Sequence, residues 1–536
     1  MSEPRGQPRL YTIPPSAPFL TTLAKAILAG NLPEPGGPKP SLLDLPQTRI
    51  YLPTRRAART LREAFLAESG GEALLLPRIL ALGHADEDEA LILDAERFAE
   101  FDAKLGIPAI EPTARLIALT RMILAWSRGL AAGPSGAEVP MPMTAAQAAS
   151  LAGDLATLMD SAESEEVDLA AFENLVPDEL AAHWAETVDF LTIVTEQWPA
   201  YLDEIGLVSP VGRRNLLMAQ EMERLAAGSP YPVIAAGSTG TVPATARLLR
   251  TIAHLENGAV VLPGLDLILD AESWETVPRH PEHPQAGMAV LLKKLGASRN
   301  EVALVPGSDP GPAAQARLRL TSETLRPAET TERWPEAFEG MTSGTGSDLA
   351  EALGGLSLVA APTAHDEAEV IALILRGCID EPGKTAALVT PDRELARRVA
   401  ARLRDYGLAI DDSAGTPVRR TLPGAFLDLV LAAVESDFAP PDLMALLKHP
   451  LTRLSQPASE IRRLGRILER AVFRENYLGR GLAGAAKALA NLGPKAPVTK
   501  PDAAAASALV STLETAFAPL VGMFESAGPH SAAALV

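Results

Sequence analysis

The sequence predicts an α/β protein built on parallel sheets, and three observations carry that prediction. Short apolar runs rich in β-branched residues recur at 9–14 (RLYTIP), 49–53 (RIYLP), 233–237 (VIAAG), 259–263 (AVVLP), 302–305 (VALV), 356–362 (LSLVAAP) and 386–390 (AALVT). Longer helical patterns lie between them, and apolar strands alternating with helices belong to parallel sheets covered on both faces. Finally, 47% of the 536 residues are hydrophobic, which is enough material for large cores in about three or four domains.

The strand–helix rhythm divides the chain. Residues 1–89 open a first lobe, and 229–325 complete it. From 90 to 228 the pattern is helix after helix, including HWAETVDFLTIVTEQWPAYL, where Trp184, Val188, Leu191, Val194 or Thr195, and Trp198 share a face. This reads as an all-helical subdomain inserted in the lobe. Residues 326–348, rich in Thr, Glu, Gly and Pro, read as a linker, with shorter breaks at 33–40 (PEPGGPKP) and 306–312 (PGSDPGP). A second lobe is expected to start over 349–440, followed by a helical, partly basic segment over 441–536. That segment ends in HSAAALV without a cap or turn signal, as a chain cut within a longer pattern would.

The net charge of −19 is unevenly spread. Between Gly129 and Gly212 there is no Lys or Arg, and the same 84 residues hold 15 acids. The rest of the chain is nearly balanced, so global acidity does not argue against nucleic acid. What matters there is local basic surface, because phosphate attraction is screened beyond about 8–10 Å. Two basic clusters stand out. Arg55, Arg59 and Arg62 share one helical face beside Arg56. Arg462, Arg466, Arg470 and Arg474 recur every four residues, and from Leu446 to Arg480 eight Lys/Arg face three Glu. Such a stripe is either a solvated face paired with Glu469 and Glu475 or a row of phosphate contacts.

A phosphate-cradling loop would follow the first strand. There the chain reads Ile13-Pro14-Pro15-Ser16-Ala17-Pro18-Phe19, with prolines instead of glycines and no lysine at the helix start. Proline removes amide donors, so ATP cannot be held there in the usual way. Gly383-Lys384-Thr385 is the only GKT, but it lies between a preceding helix and a following strand, an inverted context. Gly237-Ser238-Thr239-Gly240-Thr241 follows a strand and opens a helix. It reads foremost as a capped turn, with Thr239 or Thr241 as N-cap, and secondly as an anion-binding loop. Asp266 reads as a loop cap. His280 and His283 are separated by Pro281, which breaks the helix a metal site would use. DEDE at Asp86–Glu89 reads as a solvated turn, and the single cysteine, Cys378, as a small apolar residue. One cysteine excludes an internal disulfide or a four-cysteine cluster, so no cofactor is expected in this chain. The N-terminus MSEPRGQPRL has no apolar core, and no apolar stretch of about 18 residues is legible, which points to a cytoplasmic protein without a membrane span.

Several segments in order are specific as a set. RLYTIPPSAPFLTTLAKAIL, RIYLPTRRAARTLREAFL, LLPRILALG, VIAAGSTGTVPATARLLRTIA with VVLPGLDL, HPEHPQAGMAVLLKKLG, and APTAHDEAEVIALILR with AALVTPDRELARRVAARLRDYG resemble the AddB subunits of bacterial AddAB helicase–nucleases. The resemblance implies two RecA-like lobes of a degenerate superfamily 1 helicase fold, in which the motor motifs have decayed. It implies a role in double-strand break repair and homologous recombination. Implied partners are an AddA-type ATPase and helicase–nuclease subunit and single-stranded and broken double-stranded DNA. The iron–sulfur cluster and nuclease of that family belong to a C-terminal half that these residues do not match, so neither an ATP site nor a nuclease site is expected here. By the resemblance, Thr54, Arg55 and Arg56, Gly237–Gly240 and Thr363 sit at strand ends that touch single-stranded DNA. The arginines 462, 466, 470 and 474 join them as phosphate contacts.

Overall fold

Six short strands form one all-parallel sheet in the computed structural model, which describes residues 7–82, 107–131, 143–167, 190–343, 348–493 and 496–526, less 42, 72, 414, 476 and 478. The strands are β1 (Leu10–Ile13), β2 (Arg49–Leu52), β3 (Arg78–Ala81), β4 (Val233–Ala236), β5 (Gly258–Pro263) and β6 (Ala303–Leu304), in the order β3-β2-β4-β5-β1-β6. The chain is therefore α/β, as its apolar runs predict. Strand β3 is not among the expected strands; it pairs in parallel with β2, Ile50 opposite Ile79.

The period of two along each strand feeds two cores. Ile13, Ile50, Leu52, Ile234, Ala236 and Val261 face helices α1 (Phe19–Leu28) and α2 (Arg55–Glu68), where Leu23, Ile27, Leu61 and Phe65 are buried. Leu10, Tyr51, Val233, Ala235, Val260 and Leu262 face the other side. That side is covered by later helices, which follow after the helical subdomain.

In the stretch expected to be all-helical, the described residues form α3 (Pro112–Ala131), α4 (Ala145–Ser164), α5 (Trp198–Ile205) and α6 (Pro210–Ala226) and no strand. Leu191, Val194 and Trp198 are buried, while Trp184 and Val188 lie outside the described residues. A π-turn over Ile193–Gln197 precedes α5. Helix α6 is tied to the sheet by a half-buried polar knot. The Tyr51 hydroxyl donates to the Glu221 carboxylate, and Arg224 donates to the same carboxylate at 2.5 and 2.6 Å. Burial pushes the Tyr51 hydroxyl well above its ordinary value, and the Glu221 charge pushes it further.

The second face of the sheet is closed by α7 (Pro243–Ala253) and α9 (Ala286–Leu295), with the short α8 (Ala271–Thr276) between them in sequence. Helices α10 (Pro312–Thr324), α11 (Trp334–Thr342) and α12 (Asp348–Leu353) follow. The stretch 326–348, expected as a linker, differs: it holds a 3-10 segment, Ala328–Arg333, and the whole of α11. Its start is anchored by Arg326, which donates to Asp270 at 2.5 Å and to Glu323 at 2.7 Å, and whose side chain is 4% exposed. A buried guanidinium needs such partners, and they fold the stretch onto the body.

The chain divides into two compact units, residues 1–357 and 358–536. In the second, α13 (Ala364–Ile379) and α14 (Arg393–Asp405) pack through Ala368, Ala372, Val399 and Leu403. The expected second parallel sheet is not formed among the described residues. Residues 356–362 and 386–390 form no strand, and Leu358 and Val389 are 99% and 93% exposed. Strand propensity is realised only against a neighbouring strand, and none is supplied here.

The rest of the second unit is a helical bundle: α15 (Leu422–Glu435), α16 (Pro440–Lys448), α17 (Ala458–Leu468), α18 (Gly481–Ala490) and α19 (Lys500–Glu525) around Leu447, Ile461, Leu464, Leu468, Leu509 and Leu513. Helix α19 corrects one expectation. Its 26 residues are long and apolar enough to cross a membrane by length and composition, because alanine dilutes its few charges. It buries Ala506, Leu509, Val510 and Leu513 in the bundle core.

Candidate nucleic-acid interface

Strands of a parallel sheet all point their carboxyl ends to one edge, and the loops there are where such sheets bind ligands. Because β2 and β4 are neighbours, this edge brings Thr54–Arg56 beside Gly237–Gly240, although some 180 residues separate them. Gly237 has φ +76, and a Cβ there would lie 3.4 Å from Phe19 and 3.6 Å from Pro53. The Gly237 loop therefore lies close to Pro53 after β2 and to Phe19 at the start of α1.

Thr54 is extended and caps α2, its Oγ1 accepting from the Ala57 N–H at 3.1 Å. The cap turns the chain so that Arg55 and Arg56 occupy the exposed first turn. No acid accompanies them there. Cations at the positive end of a helix dipole cost stability and add to its field. Arg59 and Arg62 extend it along the exposed face, opposite buried Ala58, Leu61 and Phe65, and neither makes an ion pair with a described residue.

In the next loop Gly240 also takes a left-handed φ of +60, against Leu291 of α9. The expected cap by Thr239 or Thr241 is not formed. The N-cap of α7 is Val242, without a side-chain bond, and Pro243 opens the helix. The Ser238 hydroxyl instead accepts from the Gly240 N–H at 3.2 Å, stabilising the loop within itself. The methyl of Thr241 lies against Gly287.

The loop after β1 is poor in donors. Of residues 14–18, three are proline and Ala17 donates its N–H back to the Pro14 carbonyl at 3.0 Å, which leaves only the Ser16 N–H. A cleft of about 430 Å³ lies beside it, lined by Ser16, Thr21, Lys25, Asn31 and Asp309. The Lys25 ammonium leans to Glu68 of α2 at 3.5 Å. Asp266, after β5, is fully engaged: it accepts from the Ile268 and Leu269 N–H groups at 2.7 and 2.9 Å and from the Ser322 hydroxyl at 2.6 Å. It is a loop cap.

The remaining predicted residues lie in the second unit. Thr363 caps α13, accepting from the Asp366 N–H at 3.2 Å and donating to its carboxylate at 2.7 Å. Arg462 and Arg466 lie on α17, Arg470 in a π-turn over Glu469–Phe473 and Arg474 just after it. Lys384 pairs with Glu381 in a turn, and the GKT segment precedes no helix of its own. His280 meets Glu329 at 2.9 Å while His283 meets the Leu325 carbonyl at 2.8 Å, so the two rings do not converge. Among the described residues no group of His, Cys, Asp and Glu could hold a metal ion. Cys378 is half-buried, and Asp86–Glu89 lie outside the described residues.

No protein-family model matches the chain, and no curated protein matches it.

Proposed function

We propose that this chain is the non-motor, helicase-like subunit of a double-strand break repair complex, binding single-stranded DNA and an ATPase partner of the AddA type in the bacterial cytoplasm. The observation that carries the reading is one sheet edge with two contrasting halves. The loop after β1, where a nucleotide's phosphates would sit, has lost its donors to Pro14, Pro15 and Pro18. The loops after β2 and β4 keep a basic, glycine-bearing surface in Arg55, Arg56 and Gly237–Gly240. An edge that no longer grips a nucleotide yet gathers cations suits the phosphates of a strand that another subunit moves. Aromatic residues are only 4% of the chain, so base stacking contributes little and binding is mainly electrostatic.

The test is fluorescence anisotropy of labelled oligo-dT across a salt series, with the whole chain and an Arg59→Ala/Arg62→Ala variant. Log affinity should fall with log salt, and the variant should flatten the slope by about 0.7 for each phosphate it no longer neutralises. Absence of salt-dependent binding by the wild type would sink the DNA reading and leave a scaffold for the motor subunit. ATP turnover by the chain alone would sink the non-motor reading.

A further inference from the structure

The stretch expected as a linker carries an exposed aromatic pair. On α11, Trp334, Ala337, Phe338 and Met341 fall on one stripe, at i, i+3, i+4 and i+7. Ala337 and Met341 are half-buried at its inner edge. Trp334 and Phe338 stand at its outer edge, 47% and 56% exposed. The other described tryptophans, Trp126, Trp198 and Trp274, are buried or half-buried.

The exposed indole is not loose. Its N–H donates to the Glu323 carbonyl near the end of α10 at 2.9 Å. The Glu323 side chain is in turn held by the buried Arg326, which also grips Asp270. An aromatic ring fixed in this way loses little further freedom when it is covered, which suits it as an interface anchor. Left in water, the outer parts of the two rings add nothing to the core and form an apolar patch.

The surrounding charge says what can cover that patch. Glu332, Glu336 and Glu339 make no ion pair with any described residue. The cation among them, Arg333, is already paired with Asp270 at 3.3 Å and with Glu272. Three unpaired carboxylates repel phosphate, so the rings are poorly placed to stack on nucleic-acid bases. A second copy is opposed as well, because a two-fold contact over these rings would bring the same carboxylates face to face. The complement of this face is an apolar pocket rimmed by Lys and Arg on another protein.

We propose that α11 docks this chain onto its ATPase partner, with Trp334 and Phe338 filling an apolar pocket and Glu332, Glu336 and Glu339 meeting a basic rim. This rests on the reading above that such a partner exists, and deepens it by assigning the surface that meets it.

The test measures binding of the whole chain to the purified AddA-type ATPase of the same genome by biolayer interferometry. Trp334→Ala/Phe338→Ala should weaken binding about 30-fold or more, as truncating hot-spot residues does. Phe338→Ala alone leaves the indole bond to Glu323 intact, and should weaken binding at an unchanged unfolding midpoint. Glu336→Lys/Glu339→Lys keeps both rings and should slow association about tenfold at low salt, with the difference fading at high salt. Unchanged association in that variant would overturn the basic rim. Wild-type affinity in the double alanine variant would overturn the docking face and leave the partner reading standing. Failure of the wild type to bind the ATPase would overturn the partner reading and the docking face with it. Loss of oligo-dT affinity in the double alanine variant would assign the rings to bases instead. A wild-type dimer that the same variant dissolves would assign them to a second copy, and either result would overturn the proposal.

Discussion

The Thr12 hydroxyl and the Leu262 carbonyl are bonded across the sheet at 3.1 Å, and the same hydroxyl accepts the Leu265 N–H at 3.0 Å. One buried side chain thus fixes the end of β5 against β1 and sets the loop that packs on Pro15. Thr12→Val keeps the shape and β-branching but strands a buried N–H and a buried carbonyl. The expected loss is about 1–3 kcal/mol for each group left unsatisfied, read as a lower urea midpoint at unchanged m-value. An unchanged midpoint would show that the hydroxyl is dispensable.

Two glycines with similar backbone conformations should respond differently to the same change. Gly264 has φ +63, and a Cβ there would sit 2.9 Å from Pro15 Cγ. Gly296 has φ +73 with nothing within 4 Å. Gly296→Ala should cost about 1–2 kcal/mol from its left-handed backbone alone. Gly264→Ala should cost more, because Pro15 is a rigid ring that cannot swing aside. Equal losses in thermal unfolding would mean that the first loop is free to move off β5.

Much of this sheet is legible in the sequence. β1, β2, β4 and β5 are apolar on both faces, and such runs announce themselves. β3 is less visible, because Arg78–Ala81 follows Pro77 and has one β-branched residue, Ile79, and no aromatic, where β2 has Tyr51 beside Ile50. The runs at 356–362 and 386–390 show the opposite failure. Their composition is that of strands, but pairing is a property of neighbours, and composition does not contain it. The site divides similarly. The Thr54 cap is a local feature, although the sequence placed Thr54 only by resemblance, as a contact to single-stranded DNA. The nearness of Thr54 to the Gly237 loop depends on strand order, and the ion pair of Arg463 joins it to Asp502, some 40 residues away.

The anchor at the start of the 326–348 stretch should be acid-sensitive. Burial alone would raise the Asp270 carboxyl, but the Ser273 N–H, the Arg326 guanidinium and the Ser273 hydroxyl outweigh it and hold the group well below the usual carboxylate range. A folded-state value below the unfolded value of about 3.9 stabilises the protein at every pH above that range. The contribution is lost as pH falls below about 4 and the carboxylate takes up its proton. Asp270→Asn should be less stable at neutral pH and show a shallower loss between about pH 5 and 2. Parallel curves for the two proteins in urea titrations would sink the assignment.

The degenerate first loop makes a prediction about repair as well as loss. In a working phosphate loop the lysine supplies charge, but the main-chain amides supply the cradle. Here Pro14, Pro15 and Pro18 have no amide hydrogen and the Ala17 N–H is spent on Pro14. Phe19→Lys would therefore place a cation at the start of α1 without rebuilding the donors that orient a triphosphate. Neither the native chain nor this variant should bind Mg·ATP measurably in calorimetry, nor release phosphate above background. Saturable binding by the variant alone would mean that charge was the missing part. Binding by the native chain would mean that the cleft beside Thr21 and Lys25 accepts a nucleotide without a conventional loop, and the chain would then have to be read as a motor.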